Sequence, residues 1–489
     1  MAVYVRPETN VSTRSLGKRR VHARALFLAL ATAMLAFASG SRADGPPEPI
    51  ASFPSDLAGA VAPGLLRGFA LDASGSSVPA AYFLLWSESL QTNVVWVTDG
   101  SPEGTHAAAN LAVNNAQVSL LPSTTLGAFF AGHDDATGWQ IYRTDGAADS
   151  ATRLTMEPSG PDAMLGLLDG RPVIARLNDD AVTTTLLAVD PVTGSLSDLG
   201  TVASLYISAV VAPEVGFAVS EPGPQGVPVA ISSFHDDGTQ PVTLPVPPPS
   251  TTWNDPHQLG GGTRLLCFEA FTNYSDSDYA QELYCSDGTA QGTVRPVPPG
   301  ETRGIFLGDD VRFTPLGDRL LFEGRAASTS QTTLWITDGT NAGTLPLYDS
   351  SVDASPCSDD RSGGVYFVES HYDNGEFSAS LAFTDGTVAG TRSIAPLASN
   401  EAYCSSLGSS LGPRAVTYLA LGTHLYRTDG TPAGTSVVVG APAMPGSAFL
   451  PSQGIVVLGR WLVFAAPTPT SAMGLWRIDL DPLFTGTFE

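Results

Sequence analysis

Gly408-Ser409-Ser410-Leu411-Gly412 has the Gly-x-Ser-x-Gly spacing of a serine nucleophile, and several aspartate pairs have the density of cation-binding loops. A nucleophile of that kind needs a strand, a sharp turn and then a helix. Here the segment from Arg414 to Leu421 reads as another strand, so an ordinary Gly/Ser turn is expected and no catalytic residue is assigned. The acid groups are His133-Asp134-Asp135, Asp179-Asp180, Asp276-x-Asp278, Asp309-Asp310 and Asp359-Asp360. Calcium favours several oxygen ligands gathered on one loop. None of these groups has the full Asp-x-Asp-x-Asp-Gly order, so solvated acids are the plainer reading. Asp276, Asp278 and Glu282 form the best calcium candidate, and no other cofactor is expected. The histidines, His22, His106, His133, His235, His257, His371 and His424, are scattered singly without a His-Glu-x-x-His pair. Lys18 is the only lysine, so a phosphate-cradling glycine loop with its lysine cannot form beyond the leader.

The elements that must position these residues follow from an internal repeat. Val95-Trp96-Val97-Thr98-Asp99-Gly100 returns as Ile141-Tyr142-Arg143-Thr144-Asp145-Gly146, then as Leu283-Tyr284-Cys285-Ser286-Asp287-Gly288. Further copies centre on Asp338, Asp385 and Asp429, and weaker ones on Asp190, Asp237 and Asp479. These nine aspartates are spaced by 44 to 51 residues, the range of four-stranded propeller blades. Short apolar runs such as Ala128-Phe129-Phe130-Ala131, Leu320-Leu321-Phe322, Val365-Tyr366-Phe367 and Leu462-Val463-Phe464 precede the motifs and read as their hairpin partners. The expected fold is all-β, a β-propeller with eight or nine four-stranded blades of about 47 residues each. Propellers usually have four to eight blades, so the divergent last copy is expected to cap the ring or to share a blade with a strand near Leu65 to Leu71.

Within Leu334-Trp335-Ile336-Thr337, alternation sends Leu334 and Ile336 toward one neighbouring blade and Trp335 and Thr337 toward the other. Asp338-Gly339 then turns the chain, the aspartate accepting a backbone N–H two residues on and the glycine taking positive φ. A feature present in nearly every blade serves folding, whereas a single active site needs something unique. Asp99, Asp145, Asp287, Asp338, Asp385 and Asp429 are therefore assigned as structural turn residues between third and fourth strands. The competing view gives each turn a weak ligand or cation site on a multivalent surface.

The repeat also places the cysteines. Cys267 and Cys285 fall on paired strands of one blade, where a hairpin turning near Ser275 to Asp278 sets them opposite each other. Cys357 and Cys404 hold nearly equivalent places in adjacent blades, beside inner strands, so a bridge between blades is expected. Zinc is the rival reading, unsupported by any Cys-x-x-Cys spacing or histidine cluster.

The copies resemble the bacterial ELWxxDGT tandem-repeat family, and Gln281-Glu282-Leu283-Tyr284-Cys285-Ser286-Asp287-Gly288-Thr289-Ala290-Gln291-Gly292-Thr293 follows its pattern almost position for position, with Tyr in place of Trp. The similarity spans about residues 60 to 489. It implies a propeller-like fold in a secreted or cell-surface setting, and it supplies no reaction and no catalytic residues.

Composition narrows the function classes. The 489 residues carry 48 acids and 24 bases, and seven of those bases with only one of the acids precede Asp44, leaving the rest at a net charge of −30. So anionic a surface repels phosphate backbones, which excludes nucleic acid as a partner. Fifty glycines and 38 prolines rule out long helices. Residues 1–43 have the basic, apolar and small-residue order of a signal peptide, residues 44–58 read as a flexible Pro-rich leader, and residues 59–489 as the propeller. The apolar run from Ala25 to Ala38 is short of the roughly twenty residues a bilayer span requires, so no transmembrane span is expected in the mature chain. The expectation is an exported monomer, secreted, periplasmic or at the cell surface, that acts as a non-enzymatic scaffold for an unknown protein or glycan ligand. The hairpin from Thr272 to Gln281 and the Pro-rich connection from Val242 to Pro256 are expected to carry specificity. The alternatives are a propeller enzyme acting on glycans through channel carboxylates, and a purely structural envelope or matrix protein.

Overall fold

Thr333–Thr337 shows why these segments become strands: all five residues are buried, because each face of the strand meets a different neighbouring sheet. Leu334 and Ile336 pack with Ala354, Val365 and Phe367, while Trp335 packs with Cys267, Leu283 and Phe322 on the opposite side. Strands covered on both faces read as near-continuous apolar runs, and here every turn interrupts such a run after only a few residues. A computed structural model describes residues 45–480 other than 54–64, 72–75, 90–91, 110–119, 123–125, 135–137, 149, 157–162, 181, 204–206, 212–214, 221–228, 254–256, 262–263, 276–277, 309–310, 349–352, 359–362, 374–375, 411–415 and 445–453. The expected signal peptide, residues 1–43, lies outside the described residues. Among the described residues, no helix is long and apolar enough to cross a membrane.

Nine antiparallel sheets form the unit Pro46–Glu489, numbered here as blades in chain order. Blade 1 is Leu66–Leu71, Ser77–Ser87, Thr92–Thr98 and His106–Ala109; blade 2 is Leu120–Pro122, Ala128–Asp134, Gly138–Thr144 and Thr152–Arg153. Blade 3 is Ala163–Leu168, Arg171–Leu177, Thr184–Val189 and Leu196–Val202; blade 4 is Ile207–Val211, Gly216–Ser220, Ala230–Phe234 and Val242–Thr243. Blade 5 has three strands, His257–Gly261, Leu266–Ser275 and Asp278–Ser286. Blade 6 is Thr314–Leu316, Arg319–Gly324, Thr333–Thr337 and Leu345–Pro346; blade 7 is Asp353–Pro356, Val365–Asp373, Glu376–Thr384 and Arg392–Leu397. Blade 8 is Cys404–Ser410, Thr417–Leu421, His424–Thr428 and Ser436–Val437. Blade 9 is Ile455–Leu458, Trp461–Thr468 and Ser471–Asp479, completed by Glu48–Ser52.

The core lies between blades. Nine apolar clusters each join two successive blades, and the series closes on itself. Tyr82 and Val97 of blade 1 meet Phe130 and Tyr142 of blade 2. Tyr418 and Leu425 of blade 8 meet Ile455 and Phe464 of blade 9, and Phe83 of blade 1 meets Val463 and Leu475 of blade 9. Each such aromatic or aliphatic side chain contributes about 1.5–3 kcal/mol when fully buried, so one sheet alone, with both faces open, would be unstable.

The fold is the expected all-β propeller, with nine sheets among the described residues. Two details differ from expectation. Residues 48–52, expected within a flexible leader, form the outer strand of blade 9: Glu48 is opposite Arg477 and Ser52 opposite Gly474. This pairing covers the edge of Ser471–Asp479. Leu66–Leu71 is accordingly the first strand of blade 1 and takes no part in closing the ring. Blade 5 departs from four strands, and the site is built on that departure.

Candidate functional site

The repeated turn comes first, because it shows what the common residues do. In blade 6, Asp338 Oδ1 accepts the Thr340 N–H at 2.9 Å and its hydroxyl at 2.7 Å. Thr340 Oγ1 then accepts the Gly343 N–H at 2.9 Å, and Thr344 Oγ1 donates to the Thr340 carbonyl at 2.7 Å. Thr337 Oγ1 accepts the Gly339 N–H and lies 2.7 Å from Thr344 Oγ1. Gly339 has φ +86°, which a side chain would disfavour. The bonds recur around Asp99, Asp287, Asp385 and Asp429, with Ser101 in the threonine place at Asp99. Asp145 keeps only the backbone bond, to the Ala147 N–H at 2.9 Å. Each of the six aspartates accepts hydrogen bonds within the turn that follows the third strand of its blade.

Five of these six turns are also held by the blade before them. Arg477 of blade 9 donates to the Gly100 carbonyl at 3.1 Å, His106 of blade 1 to Gly146 at 2.9 Å, and Ser233 of blade 4 to Gly288 at 2.6 Å. Arg319 of blade 6 donates to Gly386 at 2.9 Å, and Arg392 of blade 7 to Gly430 at 3.4 Å. Both expected disulfides are present. Cys267 pairs directly with Cys285 in the hairpin register, and Cys357–Cys404 joins the residue after the first strand of blade 7 to the first strand of blade 8, with Cα atoms 5.3 Å apart.

Blade 5 breaks the pattern. Along its third strand, Cys285 pairs with Val294, and pairing then resumes where Leu283 N–H meets the Ile305 carbonyl at 2.9 Å and Leu307 N–H meets Gln281 at 3.2 Å. The residues between, 295–304, leave the sheet edge as an excursion rich in proline: Arg295-Pro296-Val297-Pro298-Pro299-Gly300-Glu301-Thr302-Arg303-Gly304. Proline lacks the N–H that a ladder needs, so the chain cannot continue as an outer strand there.

On its inner side the excursion meets the long hairpin. Arg295 donates to Glu282 at 3.0 Å and to the Tyr274 hydroxyl at 2.5 Å, and Tyr274 donates to Glu282 at 2.7 Å. Arg303 grips both oxygens of Asp278, at 3.0 and 2.5 Å, with its guanidinium 4.0 Å from the Tyr274 ring centroid. Glu282 is fully buried. Burial and the Glu282 carboxylate push the Tyr274 hydroxyl up, and the Arg303 bond holds Asp278 below the usual carboxylate range. Asp278 and Glu282 were the described members of the expected calcium set, and Asp276 lies outside the described residues. Both carboxylates are occupied by guanidinium groups, whose charge opposes a divalent cation beside them. Among the described residues no group of three or more His, Cys, Asp or Glu is arranged to hold a metal.

On its outer side the excursion walls a cavity of about 290 Å³ against blade 6. Pro298, Pro299, Trp335, Pro346 and Tyr348 supply apolar surface, and Glu301 is the one charged residue lining it. Thr333 lines it too, and its buried Oγ1 has no hydrogen-bond partner among the described residues. Trp335 Nε1 donates to the Gly324 carbonyl at 3.0 Å and Tyr348 to Glu369 at 2.6 Å, so both rings are fixed.

No family profile matches the chain, and comparison with curated proteins finds no match. Solved structures similar to it are propeller-containing or enzymatic. The β-propeller domain of the Trilobed protease from Pyrococcus furiosus has 13% identity and a TM-score of 0.32, over 74% of this chain and 93% of that one. An oligogalacturonate lyase in complex with manganese has 13% identity and a TM-score of 0.38, over 90% and 99%. Pyrococcus horikoshii acylaminoacyl peptidase has 12% identity and a TM-score of 0.34, over 68% and 52%.

The remaining expected residues are dispersed. Ser409 lies within the strand Cys404–Ser410, opposite Tyr418, rather than at a strand-to-helix elbow. Asp180 closes a turn by accepting the Val182 and Thr183 N–H groups, each at 2.9 Å. His424 Nδ1 is 3.0 Å from Glu401, and Asp135, Asp309, Asp310, Asp359 and Asp360 lie outside the described residues. The Pro-rich connection expected to vary is pinned by Trp253, whose ring packs edge-on against Phe268 and Tyr284 at 5.3 and 5.4 Å. The cavity escaped sequence reasoning, although the longer 50 and 51 residue spacings on either side of Asp287 and the proline run after it were its signal.

Proposed function

We propose that the protein is an exported, non-enzymatic binding scaffold of the ELWxxDGT repeat type, with its ligand site at the junction of blades 5 and 6. The observation that carries this reading is the break in blade 5. This junction has an aromatic and proline-walled cavity with a buried unpartnered hydroxyl. A mostly apolar cavity with few polar groups is the usual form of a small-ligand site. Two disulfides and a strongly acidic surface support an extracellular or periplasmic setting. The rigid ring supplies a frame that does not need to move for binding.

The test is a glycan and peptide array probed with the mature protein, with and without calcium, beside a variant carrying Pro299→Asp and Leu345→Asp. Both residues are exposed at the cavity mouth. A ligand that binds the wild type and is lost by the variant supports the reading. Ligands that bind both equally, or none at all, overturn it in favour of another face or a structural role.

A further inference from the structure

Within that reading, whose site it takes as given, we infer that the cavity between blades 5 and 6 receives a ring-bearing organic cation, an arylalkyl ammonium. Trp335 and Tyr348 contribute aromatic rings to the wall, and Glu301 is its only charged side chain. No Arg, Lys or His lines it. Aromatic rings attract cations through their negative faces, and a carboxylate at the rim adds to that field. The Glu301 oxygens accept the Ser328 N–H, at 3.1 Å, and the Ser328 hydroxyl, which fixes the carboxylate at the mouth.

The buried hydroxyl gives the second, independent indication. Thr333 is 7% exposed, faces the cavity, and its Oγ1 has no partner among the described residues. An ammonium has only hydrogens to give, and one of them can bond a lone pair of this oxygen. An anionic ligand would meet Glu301 and the net charge of −24 with no compensating cation in the wall. A neutral sugar ring would bring several hydroxyls into a wall with few polar partners, leaving most of them unbonded. The small volume admits one ring-sized group rather than an extended chain.

The experiment titrates the full mature chain with benzylamine and with the neutral isostere benzyl alcohol, by calorimetry at low salt. The wild type is expected to bind benzylamine about tenfold more tightly than benzyl alcohol. Glu301→Gln keeps an oxygen for Ser328 and is expected to weaken benzylamine about tenfold while leaving benzyl alcohol unchanged. Thr333→Val keeps the side-chain shape and is expected to weaken benzylamine severalfold. Circular dichroism melting establishes that both variants are folded. Equal affinity for the two probes, absence of benzylamine binding, or indifference of benzylamine to Glu301→Gln overturns the cation inference. Loss of an array ligand in the Pro299→Asp, Leu345→Asp variant would still uphold the site itself, so the two failures are distinct.

Discussion

Gly343 lies directly against Asp338: a Cβ built on that glycine would fall on the aspartate carboxylate, well inside contact distance. The same relationship holds between Gly104 and Asp99, Gly292 and Asp287, Gly390 and Asp385, and Gly434 and Asp429. The second glycine of the motif is therefore a space requirement of the carboxylate that organises the turn. Replacing Gly343 by alanine is expected to cost about 1–3 kcal/mol through overpacking. Asp338→Ala, which removes the acceptor, should cost about 1 kcal/mol, and Asp338→Asn less, since the amide oxygen still accepts the Thr340 N–H. Guanidinium denaturation midpoints check this. Gly343→Ala as stable as wild type would show that the turn yields freely.

Acid should weaken the turns at Asp190 and Asp237. Hydrogen bonds from Thr193 hold the Asp190 carboxyl below its ordinary range, and those from Thr239 do the same for Asp237. A depressed folded-state value means the native turn binds its proton less readily than the unfolded chain does. The stabilisation is complete above the unfolded value of about 4 and is lost as pH falls through the lowered native value. Denaturation midpoints are expected to hold from pH 7 to about 5 and to decline below about 4. An Asp190→Asn, Asp237→Asn pair should decline less steeply, and an identical slope would remove these turns as the cause.

The buried pair Arg295 and Glu282 predicts an asymmetry. Removing the arginine as Arg295→Met strands a fully buried carboxylate and should cost about 3–5 kcal/mol. The double variant Arg295→Met, Glu282→Leu should recover most of that loss, because the desolvated charge is gone. A double variant no more stable than the single one would mean that the excursion depends on the ion pair for its position.

Ring closure rests on Phe53, which packs against Phe83 at 5.8 Å and Trp96 at 5.3 Å after Glu48–Ser52 has joined blade 9. Phe53→Ala should cost about 3–5 kcal/mol. Hydrogen exchange should accelerate in Ser471–Asp479 while blades 3 to 6 keep their protection. Uniform acceleration around the ring would show that closure is a global property with no local seam.

Reduction should act through the unfolded chain. The 18-residue and 47-residue separations correspond to about 3 and 4 kcal/mol of loop entropy. Intact mass with thiol labelling counts the bridges, and midpoints with and without reductant give their worth. Free thiols in the purified native protein would remove them from the native fold.

The parts of this molecule written into the sequence are those made by residues close together in it. The turn joins Thr337 to Thr344 and Asp338 to Thr340, so a motif of a few residues contains all its partners and could be read without a fold. Strand pairing by hairpins, the two faces of Leu334-Trp335-Ile336 and the Cys267–Cys285 bridge followed from the same short-range register, and Cys357–Cys404 from equivalent places in successive repeats. What only the tertiary structure decided involves residues that the chain holds far apart or leaves without a pattern. Glu48 meets Arg477 only because the ring closes. Asp278 and Glu282 meet Arg303 and Arg295, which fold back onto them from the proline-rich excursion. A repeat specifies its own copies through local geometry; the place where it fails is free of that constraint, and there the neighbouring blade determines what each side chain meets.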